Sequence, residues 1–299
     1  DEAIRPAAES AELFDAMGAQ ADAAWARYWL AGAHYLTDNP TEAQGILQHL
    51  LAQERAGLQV ASDFRFRLLT QLGNTEAWDG NPDRALTYME EARALLEGIS
   101  IQQRAAFLSG LSLQYRRAGD LERSIRVAHE SLALYRAAEA ERDEASLENN
   151  LAITYLELEN TTKARTHLKR ARALAEPLAD VLLLSEIAEA EARLAFATGD
   201  PATAADRASV ALDAAAAGGS YLAAVGAHRT LARLAHRRGD REETESAYER
   251  AADLLRSHRS RGQLRDLLAE WAETRSGWGD VEGANALYVE ALGRRSARS

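Results

Sequence analysis

The sequence predicts an all-α solenoid of antiparallel helix pairs, and three observations lead there. Ala, Leu, Arg and Glu dominate and only five prolines occur in 299 residues, the composition that costs a helix least. No run of alternating β-branched residues suggests a strand. Decisively, one turn signal recurs along nearly the whole chain at an almost constant interval. A single core is awkward to build at this length, and an array of repeats removes that difficulty.

Each signal is a turn with Gly, Asp or Asn, followed three or four positions later by a small residue. The small anchors are Ala43 after Asp38-Asn39-Pro40, Ala85 after Gly80-Asn81-Pro82, and Ser124 after Gly119-Asp120. Ala164 follows Glu159-Asn160, Ala204 follows Gly199-Asp200-Pro201, Thr244 follows Gly239-Asp240 and Ala284 follows Gly279-Asp280. Successive anchors are spaced by 42, 39, 40, 40, 40 and 40. Glycine, which tolerates left-handed backbone, ends the first helix of a unit; Asp or Asn caps the second, and proline fits its first turn.

Twelve residues before each anchor stands another small residue: Ala31, Gly73, Ser112, Ala152, Ala192, Ala232 and Ala272. Seven residues after it come Leu50, Ala92, Ser131, Ala171, Ala211, Ala251 and Ala291, all but one small. Small side chains here let two antiparallel helices approach closely while Leu, Tyr and Trp fill the space around them. Leu30, Leu72, Leu111, Leu151, Leu231 and Trp271 precede the first small position, and Glu191 breaks that rule.

The predicted repeats are 19–58, 59–99, 100–139, 140–178, 179–218, 219–259 and 260–299, in a single repeat domain. Ala3, Ala7, Ser10 and Leu13 match the spacing of Ala164, Leu168, Ala171 and Leu174. Residues 1–18 are therefore expected to be the second helix of a truncated repeat. The chain, which has no initiator methionine, is expected to be a piece of a larger protein. The polar, basic run Arg294–Ser299 reads as an end or cap.

Leu151-Ala152-x-x-Tyr155 followed by Ala164-x-x-x-Leu168-x-x-Ala171 resembles the tetratricopeptide-repeat (TPR) signature, and Leu111-Ser112-x-x-Tyr115 is a second copy. The resemblance spans nearly the whole chain. It implies a right-handed superhelical TPR-like solenoid of about seven repeats plus one leading helix. HEAT-like repeats share the length, but the small-residue ladder favours TPR. The chain departs from the family twice. The tryptophan opening the motif is replaced by Arg27, Leu69, Leu108, Glu148, Ala188, His228 and Leu268. The repeat is also nearer 40 than the usual 34 residues. Long helices of this kind are similar to the TPR arrays of large bacterial regulators: relatives of the maltose-regulon activator, signal-transduction ATPases and quorum-sensing peptide receptors.

Composition and motifs exclude several functions. The net charge is −11, from 35 basic and 46 acidic residues, which disfavours direct binding to a phosphate backbone. The charges are interspersed and read as solvated helix faces. Cysteine is absent, so disulfides and thiolate chemistry are excluded and a reducing compartment fits. No signal peptide and no apolar run of about 20 residues is found, so a cytoplasmic location is expected. Seven scattered histidines form no metal-ligand pattern; His228 and His236, eight residues apart, share a helix face without one. No phosphate loop or hydrolase signature is present, and no cofactor is implied. The chain is expected not to be an enzyme.

The resemblance places the first helix of each unit on a concave surface. Counted back from the anchor, positions −18, −15, −11 and −8 are then the groove-facing set. Among them stand Trp25 and Tyr28 in the first unit, Arg67 and Asn74 in the second, and Arg116 in the third. Asn149 follows in the fourth, Arg193 in the fifth, and Arg229 and Arg233 in the sixth. Arginine suits bidentate recognition of carboxylate or phosphate, and asparagine amides hold peptide backbone in similar TPR receptors. Alternatively, Glu186 and Glu189 pair with Arg193 and Arg229, and the aromatic residues pack against a preceding helix.

The function expected is the sensor or interaction arm of a larger bacterial transcriptional or signalling regulator, taking a peptide, a protein or a small anionic ligand. Two further readings are a scaffold for oligomeric assembly and the substrate-docking arm of an attached enzyme.

Overall fold

Good helix formers interrupted every twenty residues or so by a capping turn give a chain of short, regular helices. The computed structural model describes residues 2–292 apart from 38, 79 and 259, and the basic tail lies outside them. The described residues form fifteen helices and no strand. A leading helix, α1 (Ile4–Ala16), precedes seven pairs. These are α2 (Gln20–Leu36) with α3 (Pro40–Arg55), α4 (Phe64–Trp78) with α5 (Pro82–Arg93), and α6 (Ile101–Arg117) with α7 (Leu121–Ala137). Next come α8 (Glu141–Glu157) with α9 (Thr161–Leu178) and α10 (Val181–Ala197) with α11 (Pro201–Ala216). The last are α12 (Tyr221–Arg238) with α13 (Arg241–Ser257) and α14 (Arg261–Gly277) with α15 (Val281–Ala291). The fold is an all-α helical solenoid of antiparallel pairs.

Every second helix of a pair begins three residues before its anchor, and all seven anchors are buried. The residues twelve before them are buried as well. The close approach is visible at Gly73, where an added Cβ would stand 2.8 Å from Met89 Cγ and 3.2 Å from the Ala85 carbonyl oxygen.

Capping follows the expected chemistry in five of the seven pairs. Asp120, Asn160, Asp200, Asp240 and Asp280 each accept from the backbone N–H three residues on, at 2.9–3.1 Å. Asn39 and Asn81 do not cap. The Asn39 amide donates to Thr37 Oγ1 and the Asn81 amide to Glu76 Oε2. Each precedes a proline, but so does Asp200, which still caps its helix, so the proline does not account for the difference.

The chain divides into two compact units, residues 1–134 and 135–299. The first is built on large side chains: Leu47, Phe64, Leu68, Leu72, Met89, Phe107 and Leu111 share one core. The second is built largely on alanine around Ala188, Ala192, Ala208, Ala211 and Ala227. Larger residues return near its end, with Tyr248, Leu255, Leu268, Trp271 and Leu287.

Candidate ligand-binding cleft

The first helices of three successive pairs, α2, α4 and α6, line a cleft of about 500 Å³ within the first unit. Seven of the positions read as groove-facing meet there: Tyr28, Gly32 and Tyr35 from α2, Arg67, Thr70 and Asn74 from α4, and Ala106 from α6. Helical geometry explains the convergence, since side chains three, four and seven residues apart share one face.

Trp25 and Tyr28 are held from behind by the core. Their rings meet edge-on at 5.5 Å, and the fully buried Phe64 ring lies 4.9 Å from Trp25 and 6.1 Å from Tyr28. Arg67 is positioned by Asp63 one turn earlier, at 2.6 Å, with its guanidinium 5.9 Å from the Trp25 ring centre. Burial raises the Tyr28 hydroxyl above its ordinary pKa, against the opposing charge of Arg67. It raises Tyr35 likewise, against Arg117. Both hydroxyls therefore stay protonated and able to donate at neutral pH. Asn74 is exposed on the cleft wall, while Arg116 is half-buried on α6 outside the lining.

The other candidates lie in the second unit. Asn149 is only 4% exposed and its Oδ1 has no hydrogen-bond partner. Arg193 stands 4.0 Å from Glu189. Arg229 and Arg233 converge instead on Glu270 of α14, where Arg229 Nε donates at 2.5 Å and Arg233 Nε at 2.6 Å. Tyr248 donates to the same carboxylate at 2.9 Å. The neighbour-pairing alternative thus holds for Arg193, but Arg229 pairs with the next first helix rather than with Glu186 or Glu189. Burial pushes the Glu270 carboxyl upward, yet hydrogen bonds and charge from Arg233 and Arg229 overcome it and hold it at about 2.

Sequence reasoning missed the cleft's second stripe. Trp29, Gln71 and Gly110 also line it, and each stands at position −14 from its anchor, as does Glu270. That position adjoins the chosen ones on the helix and was readable from the same period. Met89 was not readable: it enters the lining from α5, the packed partner helix.

A family model described as a tetratricopeptide repeat matches residues 102–177. Over that segment the chain is similar to the tetratricopeptide repeat. The match covers α6 to α9, which hold both copies of the motif read from the sequence. Solved structures share the TPR-like fold at low identity. A Rap protein complexed with competence and sporulation factor is 18% identical, with TM-score 0.66 over 98% of this chain and 92% of that one. NprR in complex with its cognate peptide NprX is 13% identical, with TM-score 0.71 over 91% and 78% of the two chains. Aspartyl phosphate phosphatase F from Bacillus subtilis is 11% identical, with TM-score 0.71 over 94% and 73%. No curated protein matches the chain. No helix among the described residues is long and apolar enough to cross a membrane.

Proposed function

We propose that this TPR chain is a peptide- or protein-binding module whose first-helix faces take the ligand. The carrying observation is the cleft, where residues spaced for one helix face on α2, α4 and α6 converge on a common space. Its volume falls in the range of roughly 300–1,000 Å³ usual for ligand pockets. Peptide complexes among solved structures of this fold, NprR with NprX for one, support the reading. We propose further that the module is the non-catalytic sensor or interaction arm of a larger bacterial regulator acting in the cytoplasm. Each repeat of a solenoid touches only its neighbours, so small rotations between repeats accumulate and can bias an attached effector.

The test is mass spectrometry of what co-purifies with the protein in native buffer, compared with two variants. Gly32→Leu should fill the cleft, because a Cβ there would meet only the Gln71 amide nitrogen, at 3.3 Å. Arg67→Glu reverses the charge at its edge. A peptide or protein retained by the parent and lost from both variants, with melting curves unchanged, is the expected result. The same partners with all three would turn attention to assembly rather than ligand binding.

A further inference from the structure

A second cleft lies within the second unit, on the side of the second helices. It runs between α9 and α11, over the last turns of α10, and its volume is about 270 Å³. It shares no residue with the cleft of α2, α4 and α6. Its floor is apolar, made by the buried Leu168, Leu194 and Ala195. That volume is below the roughly 300–1,000 Å³ usual for small-molecule pockets, and an open groove between two second helices suits side chains carried on a partner.

The cleft holds more cation than acid can use. Arg165 and Lys169 of α9 both line it and are exposed. Neither makes a hydrogen bond or an ion pair among the described residues. The two carboxylates in the lining are already engaged. Glu191 takes Arg172 on both oxygens, Nε at 2.8 Å and Nη2 at 2.5 Å, and has Arg207 at 3.9 Å. Asp200 caps α11 by accepting from the Thr203 N–H at 3.0 Å. Arg207 is itself paired with Asp206 at 3.0 Å. Arg165 and Lys169 are thus left uncompensated on a chain of net charge −11.

The repeat does not require this pair of charges. Arg165 and Lys169 stand one and five residues after the anchor Ala164, and none of the other six pairs has lysine or arginine at either position. The sixth pair shows what the first of these positions does when it serves packing. There Glu245 accepts from Trp271 Nε1 at 3.0 Å and from Arg275 Nε at 2.8 Å, both on the next first helix. The same register sets Arg165 opposite Glu191 and Ala195. Ala195 offers no charge, and Glu191 is filled by Arg172.

We propose that the cleft between α9 and α11 docks an acidic helix of a protein partner. Arg165 and Lys169 are one helical turn apart, and two carboxylates four residues apart on a partner helix have the same spacing, with Cβ atoms about 5–6 Å apart. They would meet the two cations as charge-assisted pairs, and an apolar side chain beside them would cover Leu194 and Ala195. This site is additional to the first-helix cleft, and either can fail without the other.

The experiment is fluorescence anisotropy of labelled, helix-stabilised peptides titrated with the full chain. One set carries two glutamates four residues apart with Ala, Leu, Ile or Phe beside them on the same face. A second set has the same composition with the glutamates two residues apart, which puts them on different faces. A third replaces both glutamates with lysine. The parent should bind the first set best, reject the lysine set and bind more weakly as salt rises. Arg165→Glu with Lys169→Glu should weaken the first set roughly tenfold, as two exposed ion pairs turned repulsive imply, and admit the lysine set. Arg165→Gln with Lys169→Gln should weaken the first set without admitting the lysine set, and matching circular dichroism melts would show that both variants fold. Absence of binding to every peptide, equal binding of the two glutamate spacings, or binding unmoved by the charge reversal would overturn the proposal. So would displacement of the peptide by an equal concentration of inorganic phosphate, which would mark a bare anion site.

Discussion

Glu270 shows how one side chain can organise a face. Its carboxylate gathers Arg229, Arg233 and Tyr248 from two other helices. Because the folded pKa is about 2 against an ordinary 4.5, the group stabilises the fold above pH 4.5, and that contribution is lost as pH falls toward 2. The full shift corresponds to about 3 kcal/mol, and roughly 2 is expected because the arginines are partly screened by solvent. Glu270→Gln should lower the neutral-pH unfolding free energy by that amount and flatten its pH dependence between 4.5 and 2, as measured in urea titrations. Tyr248, pushed up to about 12 by burial and then by the Glu270 charge, has the opposite sign: its contribution is present below pH 10 and fades above it. A second residue-scale expectation concerns the ladder. Ala164 is fully buried between α8 and α9, so Ala164→Trp should overpack the pair and cost roughly 1–3 kcal/mol. An unchanged melting curve would contradict the repeat register.

At the level of the element, the turns decide where one helix stops and the next begins. Gly119, Gly199, Gly239 and Gly279 take positive φ at 75–81°, where glycine has no Cβ to clash. The corresponding residue of the fourth pair is Glu159, held at φ 56°. A non-glycine residue there costs about 1–2 kcal/mol, part of which glycine would return as chain entropy. Glu159→Gly should therefore raise stability by roughly 0.5–1 kcal/mol, seen as a higher denaturation midpoint with an unchanged m-value. A fall would mean that the Glu159 side chain contributes more than its backbone costs.

On the scale of the whole chain, stability in a solenoid is local because each repeat rests on its neighbours. Ala284→Trp, at the start of α15, should lower amide hydrogen-exchange protection in α14 and α15. Protection in α4 and α5 should be unaltered. Uniform loss of protection would mean that the chain unfolds as one block. The cleft belongs to this scale too, since its lining comes from three consecutive pairs and no single repeat contains it.

Much of this was legible in the residues alone. The evenly spaced anchors, the small-residue ladder and the Gly-Asp turns locate every helix pair, because they reflect local backbone chemistry and a constant packing distance. The positions of α2, α4 and α6 that line the cleft were expected from the tetratricopeptide resemblance, counted back from the anchors. What needed the folded chain was each side chain's partner. Nothing in the spacing told that Arg229 would reach Glu270, 41 residues on, or that Asn39 and Asn81 would turn from capping to other acceptors. Period and propensity act within a helix, whereas ion pairing, burial and open space depend on which neighbouring repeat presents which residue, and only the packed repeats settle that.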